Sequence, residues 1–276
     1  MIINEEGTYN LVYTATDECG NETVVNRELV VEVPIYSWST GTDEQIVDMI
    51  QRADRGEINL ADYWHVGDER VVHLDAMEAT GVGESHAAQD VTLVLMNAGG
   101  KTLNTPTEGG RTTCSFIVGM KNCLNEHGYM NSTDTSIGGW DACARRTWCN
   151  NIFYNSIPAS LRPIFKQVKN KTGSLSSGTG VNSFVDSIDY FAFPAEYEVF
   201  GTYNNSSETY ESGLQQFEYY QTSANRIKQR NGSANNWWDR SPRKTGATSF
   251  CDVNSIGTTD RYNASSLLGI STFGCI

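Results

Sequence analysis

Apolar and polar side chains alternate with a period of two on either side of a short polar segment near the start of the chain. Tyr9, Leu11 and Tyr13 show this period before the polar segment, and residues 25–31 keep it afterwards. The intervening DECGN, at 17–21, consists of residues that favour turns. The pattern predicts two β-strands joined by a turn. Because a lone hairpin is only marginally stable in water, we expect it to need a partner sheet.

A short amphipathic helix is predicted just after residue 41. Thr42 and Gln45 have the spacing of a capping box, in which the threonine caps the first turn and the glutamine reaches back to it. Apolar residues follow at helical spacing, namely Ile46, Met49, Ile50 and Ala53.

The remaining pattern predicts a mixture of helices and short strands. Strands are expected at 69–75, 90–96 and 190–194, and helices at 116–124 and 140–155, with one more helical turn at 161–168. From residue 231 onward the pattern predicts short strands and loops. Helices early and small strands late predict that the main part of the chain has an α+β fold.

The net charge and the lack of long apolar runs exclude two classes of function. The 276 residues include 33 acidic and 20 basic ones, which gives a net charge of −13. A nucleic-acid-binding protein needs a basic face against the phosphates, so we expect no nucleic-acid partner. No run reaches the roughly 18 apolar residues of a membrane span, and the first residues lack the pattern of a signal peptide. We therefore expect no membrane insertion.

The seven cysteines form no CxxC motif and do not combine with histidine at zinc spacing. No acidic cluster has the spacing of a calcium loop either. We therefore expect no metal and no cofactor. Cys251 and Cys275 lie on separate segments and are able to pair, whereas free buried thiols are the other interpretation.

Residues typical of catalysis show no local signature. None of the four histidines lies in a recognised catalytic motif. Glu196 and Glu198 are two apart and would share one face of a strand, either as an acid–base pair or as a solvated pair. We predict no catalytic residue and expect the chain not to be an enzyme.

Two adjacent tryptophans form the most distinctive local run, WWDRSP at 237–242. In an extended chain Trp237 and Trp238 point to opposite faces, so core packing and an aromatic ligand platform are both open. Arg240 is placed to stack on them or to pair with a carboxylate such as Glu196.

The stretch after these tryptophans, 243–272, is rich in Thr, Ser, Asp, Arg, Tyr and Asn. Several of these residue types are favoured in paratopes, which combine stiff aromatic contacts with adaptable hydrogen bonding. Ile256, Leu267 and Leu268 stand among turn residues, where loop chemistry does not require them. A binding loop and an ordinary polar loop are the two interpretations.

Six segments in one order give the chain a resemblance to a known family. They are GGWDACARRTWCNNIFYNSIP (138–158), LRPIFKQVK (161–169), FAFPAEYEVFG (191–201), NRIKQRNGSANNWWDRSP (225–242), FCDVNSIG (250–257) and GISTFGCI (269–276). Over about residues 60–276 the chain resembles a domain family of uncharacterised function in gut bacterial and phage proteins. That family is similar to the C-type-lectin fold of the formylglycine-generating-enzyme type. Some of its members are variable proteins of diversity-generating retroelements.

Residues 7–33 resemble the last two strands of a bacterial immunoglobulin-like domain, a module often found in front of that family. The resemblance implies the end of such a domain at 1–36, a linker with a short helix at 37–59, and a C-type-lectin-like ligand-binding domain at 60–276, variable at about 236–268. Since a whole sandwich takes about 100 residues, we expect the chain to be the C-terminal piece of a longer protein. A hairpin that simply joins the main domain is the alternative.

In such retroelement systems an error-prone reverse transcriptase rewrites adenines, so that Asn codons of a template become other residues. Asp, Ser, Ile, Thr, Arg, Tyr and Leu are all reachable from AAC by changing its two adenines. The resemblance implies a ligand-facing set of Asn236, Gly246, Ser249, Asp252, Ser255, Ile256, Thr258, Asp260, Arg261, Tyr262, Ser266, Leu267 and Leu268. It implies a scaffold set of Trp237, Trp238, Arg240, Phe250, Val253, Gly257, Ala264 and Gly269.

The expected function is that of a non-enzymatic receptor-binding protein or adhesin, on a phage virion tail or a bacterial cell surface. Its expected partner is a protein or glycan receptor of a host cell or bacterial surface, and a homo-oligomer within a fibre is compatible with this role. The alternatives are a formylglycine-generating-type oxidase, another surface enzyme, or a glycan-binding lectin of unvarying sequence. The oxidase resemblance is incomplete, because Cys251 and Cys275 lack the motif that surrounds the metal-holding cysteine pair of those enzymes.

Overall fold

The computed structural model of the chain describes residues 7–32 and 34–276. Residues 1–6, which lack the pattern of a signal peptide, and Val33, which ends the segment resembling an immunoglobulin-like domain, lie outside the described residues. The chain divides into two units, Met1–Tyr36 and Ser37–Ile276.

The first unit contains a two-stranded antiparallel sheet. β1 (Gly7–Thr16) and β2 (Glu22–Val31) pair along their whole length. Asp17 shapes the turn between them, because its Oδ1 accepts hydrogen bonds from the N–H groups of Cys19 (2.9 Å) and Asn21 (2.8 Å). The predicted pair of strands is confirmed.

The second unit begins with the predicted helix. In α1 (Asp43–Asp54) the Thr42 side chain accepts from the N–H of Gln45, and the Gln45 side chain accepts from the N–H of Thr42. The capping box is therefore present. The four apolar positions at helical spacing are buried, namely Ile46, Met49, Ile50 and Ala53.

A five-stranded antiparallel sheet forms the centre of the second unit. Its strands, in spatial order, are β3 (Glu69–Leu74), β4 (Gln89–Ala98), β5 (Phe116–Met120), β14 (Phe273–Cys275) and β8 (Phe191–Ala192). The last residues of the chain thus form an interior strand, which lies between β5 and β8. This placement buries all residues from 268 to 276.

The helices of the second unit are short apart from α1. They are α2 (Ala144–Trp148), which continues as a π-helical turn (Cys149–Phe153) into α3 (Tyr154–Ser156), then α4 (Glu196–Phe200) and α5 (Glu208–Glu211). Single 3₁₀ turns occur at Leu60–Asp62, Arg162–Ile164, Glu218–Gln221 and Ser223–Arg226.

Three smaller sheets complete the second unit. β6 (Val168–Ser174) pairs with β7 (Ser183–Asp189), and β9 (Lys228–Arg230) pairs with β10 (Ser233–Asn235). The third sheet has the order β11 (Trp237–Pro242), β12 (Ser249–Val253), β13 (Thr259–Asn263).

The predicted α+β, C-type-lectin-like fold class is wrong, because the chain is mostly β-structure, with 34 % of residues in strands and 18 % in helices. The predicted helix at 116–124 shows the reason. All five residues of β5 are buried, since the strand has neighbours on both sides and is covered on both faces. Such a strand is a continuous apolar run, and its period does not distinguish it from a buried helix.

Candidate binding face

The predicted variable segment lies in and around the three-stranded sheet β11–β12–β13. Every residue of β11 and β12 is buried, whereas every residue of β13 is exposed or half-exposed. β13 is the edge strand of this sheet, and it pairs with β12 from Ser249 opposite Asn263 to Val253 opposite Thr259. The sheet therefore presents one accessible strand on an interior support.

Both tryptophans of β11 are anchored in the interior. Trp237 and Trp238 have no exposed surface, and their indole N–H groups donate to the main-chain oxygens of Arg226 (2.9 Å) and Gly128 (2.8 Å). Phe250 and Val253 of β12 are also fully buried. These four side chains form a support that is not open to a ligand, so the aromatic platform is not present.

Gly269 is fitted between two neighbours. A Cβ atom there would lie 2.6 Å from Cys123 Sγ and 2.9 Å from the main-chain oxygen of Asn236. The N–H of Gly269 also donates to that oxygen (2.8 Å). This close approach explains a glycine at position 269.

The residues expected to face the ligand fall into three groups, which are exposed, half-buried and buried. Six are exposed: Gly246, Ile256, Thr258, Arg261, Tyr262 and Leu267. Four are half-buried: Asn236, Ser255, Asp260 and Ser266. Five of these exposed residues lie in β13 and its two flanking turns, and we call them the β13 surface: Ile256, Thr258, Arg261, Tyr262 and Leu267.

Three expected ligand-facing residues are buried instead: Ser249, Asp252 and Leu268. Ser249 and Asp252 belong to the interior strand β12, and the Ser249 hydroxyl donates to Asn263 Oδ1 (3.2 Å). Leu268 pairs through its main chain with Gly128, which brings it against the interior. For these three positions the prediction is corrected, because strand pairing places their side chains inside.

Asn236 connects three segments of the expected variable region. Its side-chain oxygen accepts from the N–H of Ser255 (2.9 Å), and its amide nitrogen donates to Asp252 Oδ2 (3.4 Å). Its main-chain oxygen accepts from Gly269. Asn236 therefore holds neighbouring chain segments together, and its polar groups are already in use.

Asp252 is a buried acid with an incomplete set of partners. It lies opposite Asp260 in the β12–β13 pair, and among the described residues its Oδ1 has no hydrogen-bond partner. Burial, with the charge of Asp260 adding to it, raises the pKa of Asp252 to about 8. At neutral pH this side chain is therefore mainly the neutral acid.

Two residues that the sequence pattern did not single out hold the turns beside β13. Asn254 Oδ1 accepts from the N–H groups of Ile256 (3.2 Å) and Thr258 (3.0 Å), and Ile256 is 72 % exposed at the tip of this turn. At the other end, Asp134 accepts from the Asn263 amide (2.9 Å) and the Ser265 hydroxyl (2.6 Å). Asn254 with a glycine three residues later is a recognisable turn signal, whereas Asp134 is 129 residues from Asn263 and has no local signal.

Glu196 and Glu198 do not share a strand face. Both lie in α4 and are buried. Arg240 pairs with Glu198 rather than Glu196, with Nη1 2.5 Å from Oε2. Burial alone would raise the pKa of Glu198, but the charges of Arg240 and Lys101 outweigh it and hold the pKa at about 2. The expectation of a Glu196 partner is therefore corrected.

Cys251 and Cys275 are both free and buried. Burial raises the pKa of each thiol well above its usual value. Of the two interpretations of the sequence, free buried thiols are the one that the structure shows. Within residues 7–32 and 34–276, no group of three or more His, Cys, Asp or Glu residues is arranged to hold a metal ion.

A family model described as "Domain of unknown function (DUF6273)" matches residues 116–271, which is more than half of the chain. The chain belongs to this family. The DUF6273 region begins at β5 and contains all of the sheet β11–β12–β13. No curated protein and no solved structure matches the chain. In the part of the chain that the structure describes, none of the helices combines the length and the apolar character of a membrane span.

Proposed function

We propose that the chain is a non-enzymatic receptor-binding protein or adhesin that acts on a phage tail or a bacterial surface. The observation that carries the proposal is the accessible strand β13 on a fully buried two-strand support. The β13 surface combines large apolar, aromatic and cationic side chains, and Ile256, Tyr262 and Leu267 are 72 %, 40 % and 47 % exposed. Large exposed side chains of this kind mark protein and glycan contacts better than a polar surface does.

A diversified surface is supported by the finding that the residues that stabilise the sheet and its turns are different from the residues that are exposed. The turns beside β13 are held by Asn254 and Asp134, and the interior is filled by Trp237 and Trp238. None of these four belongs to the β13 surface. Substitution of exposed residues away from structural contacts usually changes stability by no more than about 0.5 kcal/mol. Ile256, Arg261, Tyr262 and Leu267 could therefore be rewritten while the fold persists. Thr258 is the exception in the β13 surface, because its hydroxyl accepts from the Asn254 amide (2.7 Å).

The burial of Cys251 and Cys275 favours the binding role over an oxidase that needs a reactive cysteine pair. A reactive cysteine is usually accessible and has a lowered pKa. Both thiols have the opposite properties.

A binding assay tests the adhesin role. The fluorescently labelled chain is incubated with a panel of intact bacterial cells and an array of glycans. We expect binding to some of these targets, lost in I256S/R261S/Y262S/L267S and retained in the control V71S/I188S, which changes exposed residues of other strands. No binding by the parent chain, or equal binding by both variants, would contradict the proposal.

The gene neighbourhood tests diversification separately. We expect a near-copy of the 3′ end of the gene that differs at adenines, and a reverse transcriptase gene close by. Absence of both would remove the diversification while leaving the adhesin role to the binding assay.

A further inference from the structure

A cavity of about 280 Å³ lies between β6, β7 and the loop that follows α5. It shares no lining residue with the β13 surface, and it plays no part in the proposed function. Its volume is near the lower limit of ligand pockets, which hold about 300–1,000 Å³, so its ligand is small.

The inner wall of the cavity is formed by a buried chain of charges. Lys101 Nζ donates to Glu198 Oε1, and Arg240 binds the same carboxylate through two nitrogens, at 2.5 and 3.1 Å. All three side chains are buried. Arg240 also interacts with the charges of the buried acids Glu211 and Asp189, whereas Glu198 is the carboxylate that Lys101 binds. A second anion at Lys101 would stabilise the charged form of this buried ammonium group.

Lys101 has the capacity to bind such an anion. An ammonium group has three N–H donors, and among the described residues Glu198 is the one hydrogen-bond acceptor of Lys101. The residue lines the cavity and is only 5 % exposed. A ligand carboxylate at Lys101 would therefore meet a charge that water screens poorly.

The outer wall adds two more cations. Lys169 and Lys171 are two residues apart on β6, so their side chains lie on the same face of the strand, and both line the cavity. Lys171 Nζ donates to the main-chain oxygen (3.2 Å) and the hydroxyl (3.4 Å) of Ser212. Asp186, opposite Lys171 in the β6–β7 pair, is the second carboxylate of the lining.

We propose that this cavity binds a small hydroxylated carboxylate, of the class of acidic monosaccharides. The lining has three cations, Lys101, Lys169 and Lys171, against two carboxylates, in a chain whose net charge is −13. Thr102 and Ser212 contribute hydroxyl groups to the lining. These groups suit the hydroxyls of a sugar, while the lysines select its carboxylate.

Isothermal titration calorimetry of the full chain tests the proposal with D-glucuronate, N-acetylneuraminate and the neutral D-glucose. We expect at least one of the two acids to bind with a Kd below about 1 mM, and glucose not to bind. Raising NaCl from about 50 mM to about 500 mM should weaken the binding, because exposed lysines contribute to it.

Lysine variants locate the binding. K169Q/K171Q changes a solvent-facing strand surface and should raise the Kd at least tenfold. K101M should abolish binding, and an unchanged circular dichroism spectrum would show that this variant is still folded. The control K121Q/K244Q removes two charges outside the cavity and should bind like the parent. The proposal is overturned if both acids have a Kd above about 1 mM, or if K169Q/K171Q binds as tightly as the control.

Discussion

The hydroxyl of Thr259 donates a hydrogen bond to the buried carboxylate of Glu196. Glu196 also accepts from the N–H groups of Asn205 (3.0 Å) and Ser206 (2.8 Å) and from the Ser206 hydroxyl (2.7 Å). Thr259 is the first residue of β13, so this carboxylate attaches the start of the accessible strand to the loop at 204–206. The position of the β13 surface thus depends on an acid in α4, 63 residues away.

Thr259→Val tests this attachment. The valine keeps the shape of the side chain but removes the donor to a buried carboxylate, so we expect a loss of about 1.5–3 kcal/mol in the free energy of unfolding. Urea unfolding measures it. Thr222→Val, at an exposed threonine outside β13, should cost no more than about 0.5 kcal/mol. Equal losses in the two variants would show that the Glu196 contact does not stabilise β13.

Glu198 should make the chain sensitive to acid. Its pKa in the folded chain is about 2, against an ordinary value of 4.5. Because this pKa is lowered by folding, ionised Glu198 adds to the free energy of unfolding above about pH 4.5, and this contribution is lost as the pH falls towards 2. Glu198→Gln should cost about 3–5 kcal/mol at pH 7, because it removes the buried carboxylate that Arg240 and Lys101 both bind.

Urea unfolding of Glu198→Gln at pH 7 and pH 3 provides the measurement. The difference between the parent and this variant should shrink at pH 3. Exposed Glu108→Gln is the control and should be neutral at both values. A difference from the parent that is independent of pH would contradict the charge argument.

Asp252 should have the opposite effect. Its pKa of about 8 lies above the ordinary 3.8. The stabilising contribution of Asp252 to the free energy of unfolding is therefore fully present below pH 3.8 and is lost as the pH rises through 8. Asp252→Asn cannot ionise, and we expect it to be more stable than the parent at pH 8 by at least about 1 kcal/mol. The advantage should be small at pH 4. Parallel stability profiles for the two chains over this range would refute the burial of an ionisable Asp252.

Gly269→Ala should strain the support of the β13 surface. The added Cβ meets Cys123 Sγ at 2.6 Å and the Asn236 oxygen at 2.9 Å, so the chain must shift, at a cost of about 1–3 kcal/mol. Gly178→Ala is the matched control, because a Cβ there meets no atom within 4 Å. Thermal unfolding compares them. Similar melting temperatures in the two variants would show that position 269 has free space.

The local elements of the chain were predictable where short-range chemistry decides them. The capping box of Thr42 and Gln45 and the DECGN turn lie within a few residues of their partners, and both predictions are confirmed. The pattern failed at 116–124, because β5 is covered by strands that come from positions 89–98 and 273–275. An apolar run does not reveal whether such neighbours exist.

The same distinction applies to the candidate binding face. The sequence by itself determined that residues 243–272 are unusually polar, and that Ile256 and Leu267 stand among turn residues. Only the tertiary structure decided that Ser249, Asp252 and Leu268 are inside while Arg261 and Tyr262 are outside. It also decided that Arg240 pairs with Glu198 and that Glu196 holds Thr259. The physical reason is that exposure and ion pairing depend on which strands become neighbours, and residue spacing along the chain does not contain that information.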